Sequence, residues 1–213
     1  LEAGCVVYLS EKDWPMLAEK YKDRKPQITF LTEKMCDSFT DAGELVPGQE
    51  GGRMDLGSIT AQIVKMPGHT PGSLLIWVPQ WNTLFTSDAI GAGVLWMQLP
   101  ECRPLSEYEM QVRRLLAFLE NEKARIGIEV KIYPGHAQQI LPEAEKEQDA
   151  LRYAYVEEVL RLTEKILDNP QIGQTKQIDY PGLEYVRVRS VGERLLYDYC
   201  YDEDWENKCK TDL

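Results

Sequence analysis

The chain has 213 residues, of which 43% are hydrophobic and 28% charged, and its formal net charge is -11. This composition is typical of globular proteins and excludes a collagen-like or wholly disordered chain. The negative charge argues against nucleic acid as a partner, because Lys and Arg make most phosphate contacts. No apolar run reaches the roughly 20 residues of a membrane-spanning helix. We therefore expect neither a nucleic-acid nor a membrane partner.

The cysteines are odd in number, widely spaced and without a CxxC pair. This pattern argues against a disulfide framework or a cysteine zinc knuckle, and favours reduced thiols and a cytoplasmic location. The five positions are Cys5, Cys36, Cys102, Cys200 and Cys209.

The first third of the chain predicts short elements. Residues 1–4 have the pattern of a helix end, so we expect the chain to continue a longer architecture. A strand is predicted at residues 5–9, then a short helix with Pro15 near its start, then a strand at 28–31.

Residues 57–86 predict neighbouring strands of one sheet. In GSITAQIVKM, Ile59, Ala61 and Ile63 alternate with other residues, which is the period of a half-buried strand. The apolar runs SLLIWVP and TLFT follow, separated by the turn-like QWN.

The second half predicts two helices and further strands. A capping box at Ser106 and Glu109 precedes one helix, and a second is predicted from Pro142 to about Asn169. The strand EVKIY lies between them, and residues 177–202 predict two or three short strands. This alternation indicates an α/β or α+β fold with packed layers. The helical apolar positions are Val112, Leu115, Leu116, Leu119, Leu151, Tyr155, Val159, Leu162 and Ile166.

The two histidines of the chain both follow a Pro-Gly pair. His69 lies in MPGHTPGSLLIW and His136 in YPGHAQ, while Asp88 follows a predicted strand in LFTSDAIG. Strand ends that carry two histidines and an aspartate could converge at one sheet edge, and imidazole nitrogen and carboxylate oxygen are ligands that zinc prefers. From the residues alone, an equally open alternative is that the two histidines are ordinary turn residues and Asp88 is a loop cap.

These three motifs, in this order and spacing, resemble the second half of a metallo-β-lactamase-fold hydrolase. The resemblance implies a four-layer αββα sandwich with the site at one edge, between two β-sheets. It covers residues 1–170, which leaves 171–213 as a β-rich C-terminal extension packed on the same domain.

The resemblance also implies the site. His69 would bind a first metal, Asp88 would bridge two metals and His136 would bind the second. The cofactor would be one or two zinc ions, with manganese or iron(II) as alternatives. A zinc-bound hydroxide would then cleave an ester, thioester or lactone in a small-molecule substrate.

The stretch after Asp88 offers a substrate contact. Trp96 and Met97, in AIGAGVLWMQLPE, could form an apolar wall over the substrate. The same residues could equally form a homodimer contact, since Trp and Met are enriched at interface cores.

The chain departs from the family pattern in two ways. Ser87 stands where the family has glycine, and the upstream His-x-His-x-Asp-His motif is absent. We therefore expect a domain that lacks its N-terminal part, binds zinc weakly and is catalytically poor. The alternative is a non-catalytic α/β interaction module, or a fragment with a vestigial metal site.

Overall fold

The computed structural model describes residues 6–17, 23, 27–91, 94–97, 99, 101–136, 150–178, 186–192 and 196–200. In this part of the chain, open β-sheets and two α-helices form a mixed α/β fold, which confirms the predicted class. The strands are β1 (Val7–Ser10), β2 (Ile28–Leu31), β3 (Ser38–Phe39), β4 (Leu45–Val46), β5 (Arg53–Asp55), β6 (Thr60–Lys65), β7 (Leu74–Val78), β8 (Thr83–Ser87), β9 (Val94–Met97), β10 (Lys131–Pro134), β11 (Gln174–Ile178), β12 (Val186–Val191) and β13 (Leu196–Cys200). The helices are α1 (Leu105–Ile126) and α2 (Tyr153–Asp168).

The sheet that carries the predicted site has five strands in the order β10-β8-β7-β6-β5. Neighbouring strands are antiparallel except β10, which runs parallel to β8. The strands predicted from GSITAQIVKM, SLLIWVP, TLFT and EVKIY are all present. Leu75 and Trp77 of β7 are buried while Ile76 between them is exposed, which is the alternation expected of a sheet with one core face.

Helix α1 covers that core face. Its apolar positions at helical spacing are buried, as predicted, and Phe118 packs edge-on against Trp77. The predicted capping box is wrong, because Pro104 occupies the N-cap with no side-chain cap and Ser106 lies inside the helix. The helix ends at Gly127, whose φ of 85° is readily adopted only by glycine.

Helix α2 packs beside α1 and begins later than its pattern predicts. Residues 137–149, which include the predicted start at Pro142, lie outside the described residues. Leu151 is buried but not helical, because its backbone exchanges two hydrogen bonds with Ile132 of β10. The predicted apolar stripe from Tyr155 to Ile166 is buried against the core.

The C-terminal strands form a second sheet, in the order β11-β12-β13-β9. Strand β13 pairs in parallel with β9, so a strand near the C-terminus lies beside a strand from the middle of the sequence. Tyr199 is fully buried in the main core, and its hydroxyl donates to the carbonyl groups of Pro170 (2.7 Å) and Ile172 (2.8 Å).

The N-terminal strands β1 and β2 pair in parallel. Strand β1 begins at Val7, whereas the prediction began at Cys5, and the described part of the predicted helix includes a 3-10 turn, Trp14–Met16. The predicted helix end at residues 1–4 lies outside the described residues. None of the helices that the structure describes is long and apolar enough to cross a membrane.

Candidate metal centre

The three predicted ligands follow strands whose carboxyl ends meet at one edge of the five-stranded sheet. Strands β6, β8 and β10 point the same way, because β7 runs antiparallel to both β6 and β8 and β10 is parallel to β8. His69, Asp88 and His136 lie in the loops directly after these strands. The topology therefore brings them together, as the motif order predicted.

Asp88 lies between the two histidines. Its Oδ1 is 3.2 Å from Nε2 of His136, and its Oδ2 is 4.0 Å from Nε2 of His69. The side chains of His69, Asp88 and His136 are 14%, 32% and 54% exposed. Each carboxylate oxygen thus faces a different imidazole, and the site opens to solvent on the His136 side.

The ring of His69 is held in one tautomer. Its Nδ1 lies 2.6 Å from the carbonyl oxygen of Trp96 in β9. A carbonyl oxygen only accepts hydrogen bonds, so Nδ1 carries the proton and donates it. In the neutral ring this leaves the lone pair on Nε2, the nitrogen that faces Asp88. Metal-binding histidines are commonly fixed in this way.

The loop of His136 comes close to Asp88 because Gly135 has no side chain. The Gly135 N–H donates to the carbonyl oxygen of Ser87 at 2.9 Å. A Cβ atom at Gly135 would lie 3.2 Å from both Asp88 Oδ1 and the Ser87 backbone. The Pro-Gly pair before His136 therefore has a specific use, which is close packing of the two loops.

Ser87 has a backbone conformation that suits glycine. Its φ is 50°, in the left-handed region that L residues rarely adopt. Because the resembled family has glycine here, the sequence departure falls on a position where a side chain brings strain.

Asp13 holds the His69 loop, and the sequence analysis missed it. Its Oδ1 accepts the N–H of Gly72 at 2.7 Å, and its Oδ2 accepts the hydroxyl of Thr70 at 2.9 Å. A Cβ atom at Gly72 would lie 2.6 Å from Asp13 Oδ1. The contact joins residues 59 apart in the chain, so no local motif could have indicated it.

Residues 102–108 hold the same loop from the other side. The Cys102 thiol donates to the His69 carbonyl oxygen at 3.1 Å, and the Arg103 N–H donates to that of Gly68 at 2.8 Å. Tyr108 is fully buried, and its hydroxyl donates to the carbonyl oxygen of Ala89. Burial raises the pKa of Tyr108 far above its ordinary value, so the hydroxyl keeps its proton and remains a donor.

The donor atoms fit a divalent cation in kind but not in number. Two imidazoles and one carboxylate are ligands that zinc prefers. Among the residues that the structure describes, however, no three His, Cys, Asp or Glu side chains are grouped so as to hold one ion. His69, Asp88 and His136 are thus compatible with a shared carboxylate between two positions, each needing further ligands.

The predicted substrate contacts differ in exposure. Trp96 is 46% exposed, whereas Met97 is 1% exposed and belongs to the main core. The substrate-binding role of the pair stays a prediction, and Trp96 is the member whose side chain is accessible. The backbone of Trp96 has the additional task of holding His69.

In this mixed α/β chain His69, Asp88 and His136 meet at one sheet edge, and the chain is similar to metallo-β-lactamase superfamily proteins. The acyl-coenzyme A thioesterase MBLAC2 of Gallus gallus is 30% identical to the chain over 120 residues, or 56% of the chain and 40% of that protein. The human protein of the same name is 31% identical over 88 residues, or 41% of the chain and 29% of that protein. The chain thus spans less than half the length of these relatives.

Solved structures of a metallo-β-lactamase and of ETHE1 also align with the chain. A metallo-β-lactamase from Pontibacter korlensis has a TM-score of 0.44 at 17% identity, covering 76% of this chain and 59% of that one. ETHE1 from Myxococcus xanthus has a TM-score of 0.36 at 17% identity, covering 78% and 81%. No protein-family model matches the chain.

Proposed function

We propose that the chain carries part of a metal-dependent hydrolase site and acts on a thioester, with esters and lactones as alternative substrates. The observation that carries the proposal is Asp88, whose two oxygens face His69 and His136 separately. The thioester preference is supported by the name of the Gallus gallus relative. The substrate is a small molecule in this proposal.

The residues of the chain have separate roles in this proposal. His69 offers Nε2, because its Nδ1 is occupied by Trp96. Asp88 offers one oxygen toward each histidine, and His136 offers Nε2 from the open side. The exposed ring of Trp96 forms an apolar wall for the acyl part of the substrate, while Met97, its neighbour in β9, lies in the core.

The group they would hold is zinc, as one or two ions, with manganese or iron(II) as alternatives. A bound divalent cation would lower the pKa of a water molecule at the site and polarise the scissile carbonyl group. Each position would receive one imidazole and a share of Asp88. We therefore propose that the chain alone binds zinc weakly and hydrolyses its substrate slowly.

An activity assay tests the proposed function. The chain is incubated with a long-chain acyl-coenzyme A, a p-nitrophenyl ester and a lactone, each with zinc or manganese, and product is followed over time. We expect slow thioester hydrolysis that Asp88→Asn abolishes and that Asp55→Asn, at an exposed aspartate of β5, leaves unchanged. Hydrolysis that survives Asp88→Asn, or no hydrolysis of any substrate, would reject the proposal.

A non-catalytic interaction module is the second candidate. It is favoured by the lack of a three-ligand group among the described residues. Zinc-independent binding of a protein partner, with no turnover in the assay above, would select this candidate.

Three further properties are part of the proposal. A homodimer could form through β9, an edge strand of its sheet that exposes Trp96, and sedimentation velocity of wild type and Trp96→Ser would test it. A cytoplasmic location agrees with Cys36 and Cys102, which are not in a disulfide in the described part of the chain. We also propose that residues 1–170 form the domain and 171–213 its C-terminal extension. We propose no nucleic-acid or membrane partner.

A further inference from the structure

Tyr108 of α1 contacts two loops, the one that carries His69 and the one that carries Asp88. It is fully buried, although it stands only three residues after the start of its helix. Its aromatic ring and its hydroxyl meet different loops, so the two contacts can be considered separately.

The ring lies against the backbone just before His69. A Cβ atom at Gly68 would be 2.2 Å from Cδ2 and 2.9 Å from Cε2 of Tyr108, so only glycine lets the ring take this place. This explains the glycine of the first Pro-Gly-His motif by packing. A loop pressed on a rigid ring has little freedom to move away from the helix.

The hydroxyl contacts the residue just after Asp88. It donates to the carbonyl oxygen of Ala89, which is itself buried. The Ala89 N–H donates to the Thr86 carbonyl oxygen at 3.1 Å, and the Thr86 hydroxyl donates to the Ile90 carbonyl oxygen at 2.7 Å. The turn that carries Asp88 is therefore stabilised by its own hydrogen bonds, and the Tyr108 hydroxyl connects it to α1.

We propose that Tyr108 is a positioning residue that sets the separation of His69 and Asp88, with its ring fixing one loop and its hydroxyl the other. As regards metal binding, this inference rests on the function proposed above. It predicts that removing the hydroxyl loosens the Asp88 turn while the ring still holds the His69 loop.

Hydrogen exchange of the metal-free protein tests whether Tyr108 holds the two loops in place. The reporters are the Gly68 N–H, bonded to the Thr70 carbonyl oxygen, and the Ala89 N–H. Tyr108→Phe keeps the ring and removes the hydroxyl. Because the ring stays against Gly68, we expect the Ala89 N–H to exchange roughly tenfold faster, equivalent to about 1.4 kcal/mol, and the Gly68 N–H to change little. Unchanged exchange of the Ala89 N–H would overturn the proposal.

Tyr199→Phe is the matched control, because it also removes a fully buried tyrosine hydroxyl that donates to backbone carbonyl groups. We expect it to lower the unfolding midpoint without accelerating the two reporters beyond that global loss. Equal acceleration in both variants would show a general structural effect and would overturn the positioning role.

Zinc affinity then tests the consequence for the site. By isothermal titration we expect roughly tenfold weaker binding in Tyr108→Phe than in Tyr199→Phe. Faster exchange with unchanged affinity would overturn the positioning role. If the wild type binds no zinc, the proposed function fails, but the exchange data still test whether Tyr108 holds the loops.

If Tyr108→Phe does not fold, the wild type alone remains informative. If the hydroxyl holds the Asp88 turn in place, the Ala89 N–H should be about as well protected as the amide of Val112, a buried residue of α1. Protection of Ala89 far below that of Val112 would overturn the proposal.

Discussion

Asp88 and His69 show how much of the candidate site depends on single atoms. The carboxylate divides its oxygens between two imidazoles, and the Trp96 carbonyl oxygen fixes which nitrogen of His69 carries a proton. The motif predicted the residue types and their loops. It could not predict the tautomer, because that depends on a carbonyl group 27 residues away.

Ser87 gives a prediction at this scale. Its left-handed backbone is strained by a side chain, and glycine relieves that strain while adding some unfolded-state entropy. We expect Ser87→Gly to raise the free energy of unfolding by roughly 0.5–1 kcal/mol in a urea titration.

The control for that prediction is Ser38→Gly in β3, at a position without a positive φ. This substitution should lower the free energy of unfolding, because glycine weakens a strand. A loss of stability in Ser87→Gly as large as that in Ser38→Gly would contradict the strain at Ser87.

At the scale of elements, the loop of His69 depends on the segment between β1 and β2. Asp13 accepts hydrogen bonds from Thr70 and from the buried Gly72 N–H. Asp13→Ala leaves that N–H without its partner, so we expect a loss of about 1–3 kcal/mol in the free energy of unfolding.

Asp55→Ala is the matched control for Asp13→Ala. The Asp55 carboxylate also accepts a backbone N–H, that of Gly57 at 2.8 Å, but it is exposed. Its removal should change the free energy of unfolding by less than about 0.5 kcal/mol. Equal losses in the two variants would show that Asp13 is not an anchor of the loop.

An ion pair between Lys12 and Glu33, which lie just after β1 and β2, gives a pH prediction. A hydrogen bond from the Lys12 ammonium lowers the pKa of Glu33 below its ordinary value. The unfolded state then binds the proton more tightly, so the pair stabilises the fold above the ordinary glutamate pKa of about 4.3 and loses this effect as the pH falls below it. We expect a small effect, because both side chains are largely exposed.

Glu33→Gln tests this by thermal unfolding across that pH range. The variant should be slightly less stable than the wild type near neutral pH, and the difference should vanish in acid. Glu50→Gln, at an exposed glutamate, serves as control. A difference from wild type that grows as the pH falls would contradict the sign of the Glu33 shift.

For the whole molecule, periodicity and motifs predicted the class of fold and the sheet edge where His69, Asp88 and His136 meet. The strand alternation around Leu75 and Trp77 and the apolar stripe of α1 follow from elementary packing. Leu151 and Ser106 were misassigned because the same apolar or capping pattern continues across a helix boundary. Asp13 and Tyr108 were missed because their contacts join distant segments.

The central claim is that His69, Asp88 and His136 form one zinc-responsive site. Because the chain has only two histidines, each ring signal in a proton–nitrogen NMR spectrum can be assigned with a single His→Gln variant. On zinc titration we predict that both ring signals shift, with weak affinity, and that Asp88→Asn strongly reduces both shifts. Histidine ring signals that do not shift on zinc addition, or that shift equally in wild type and Asp88→Asn, would contradict the account.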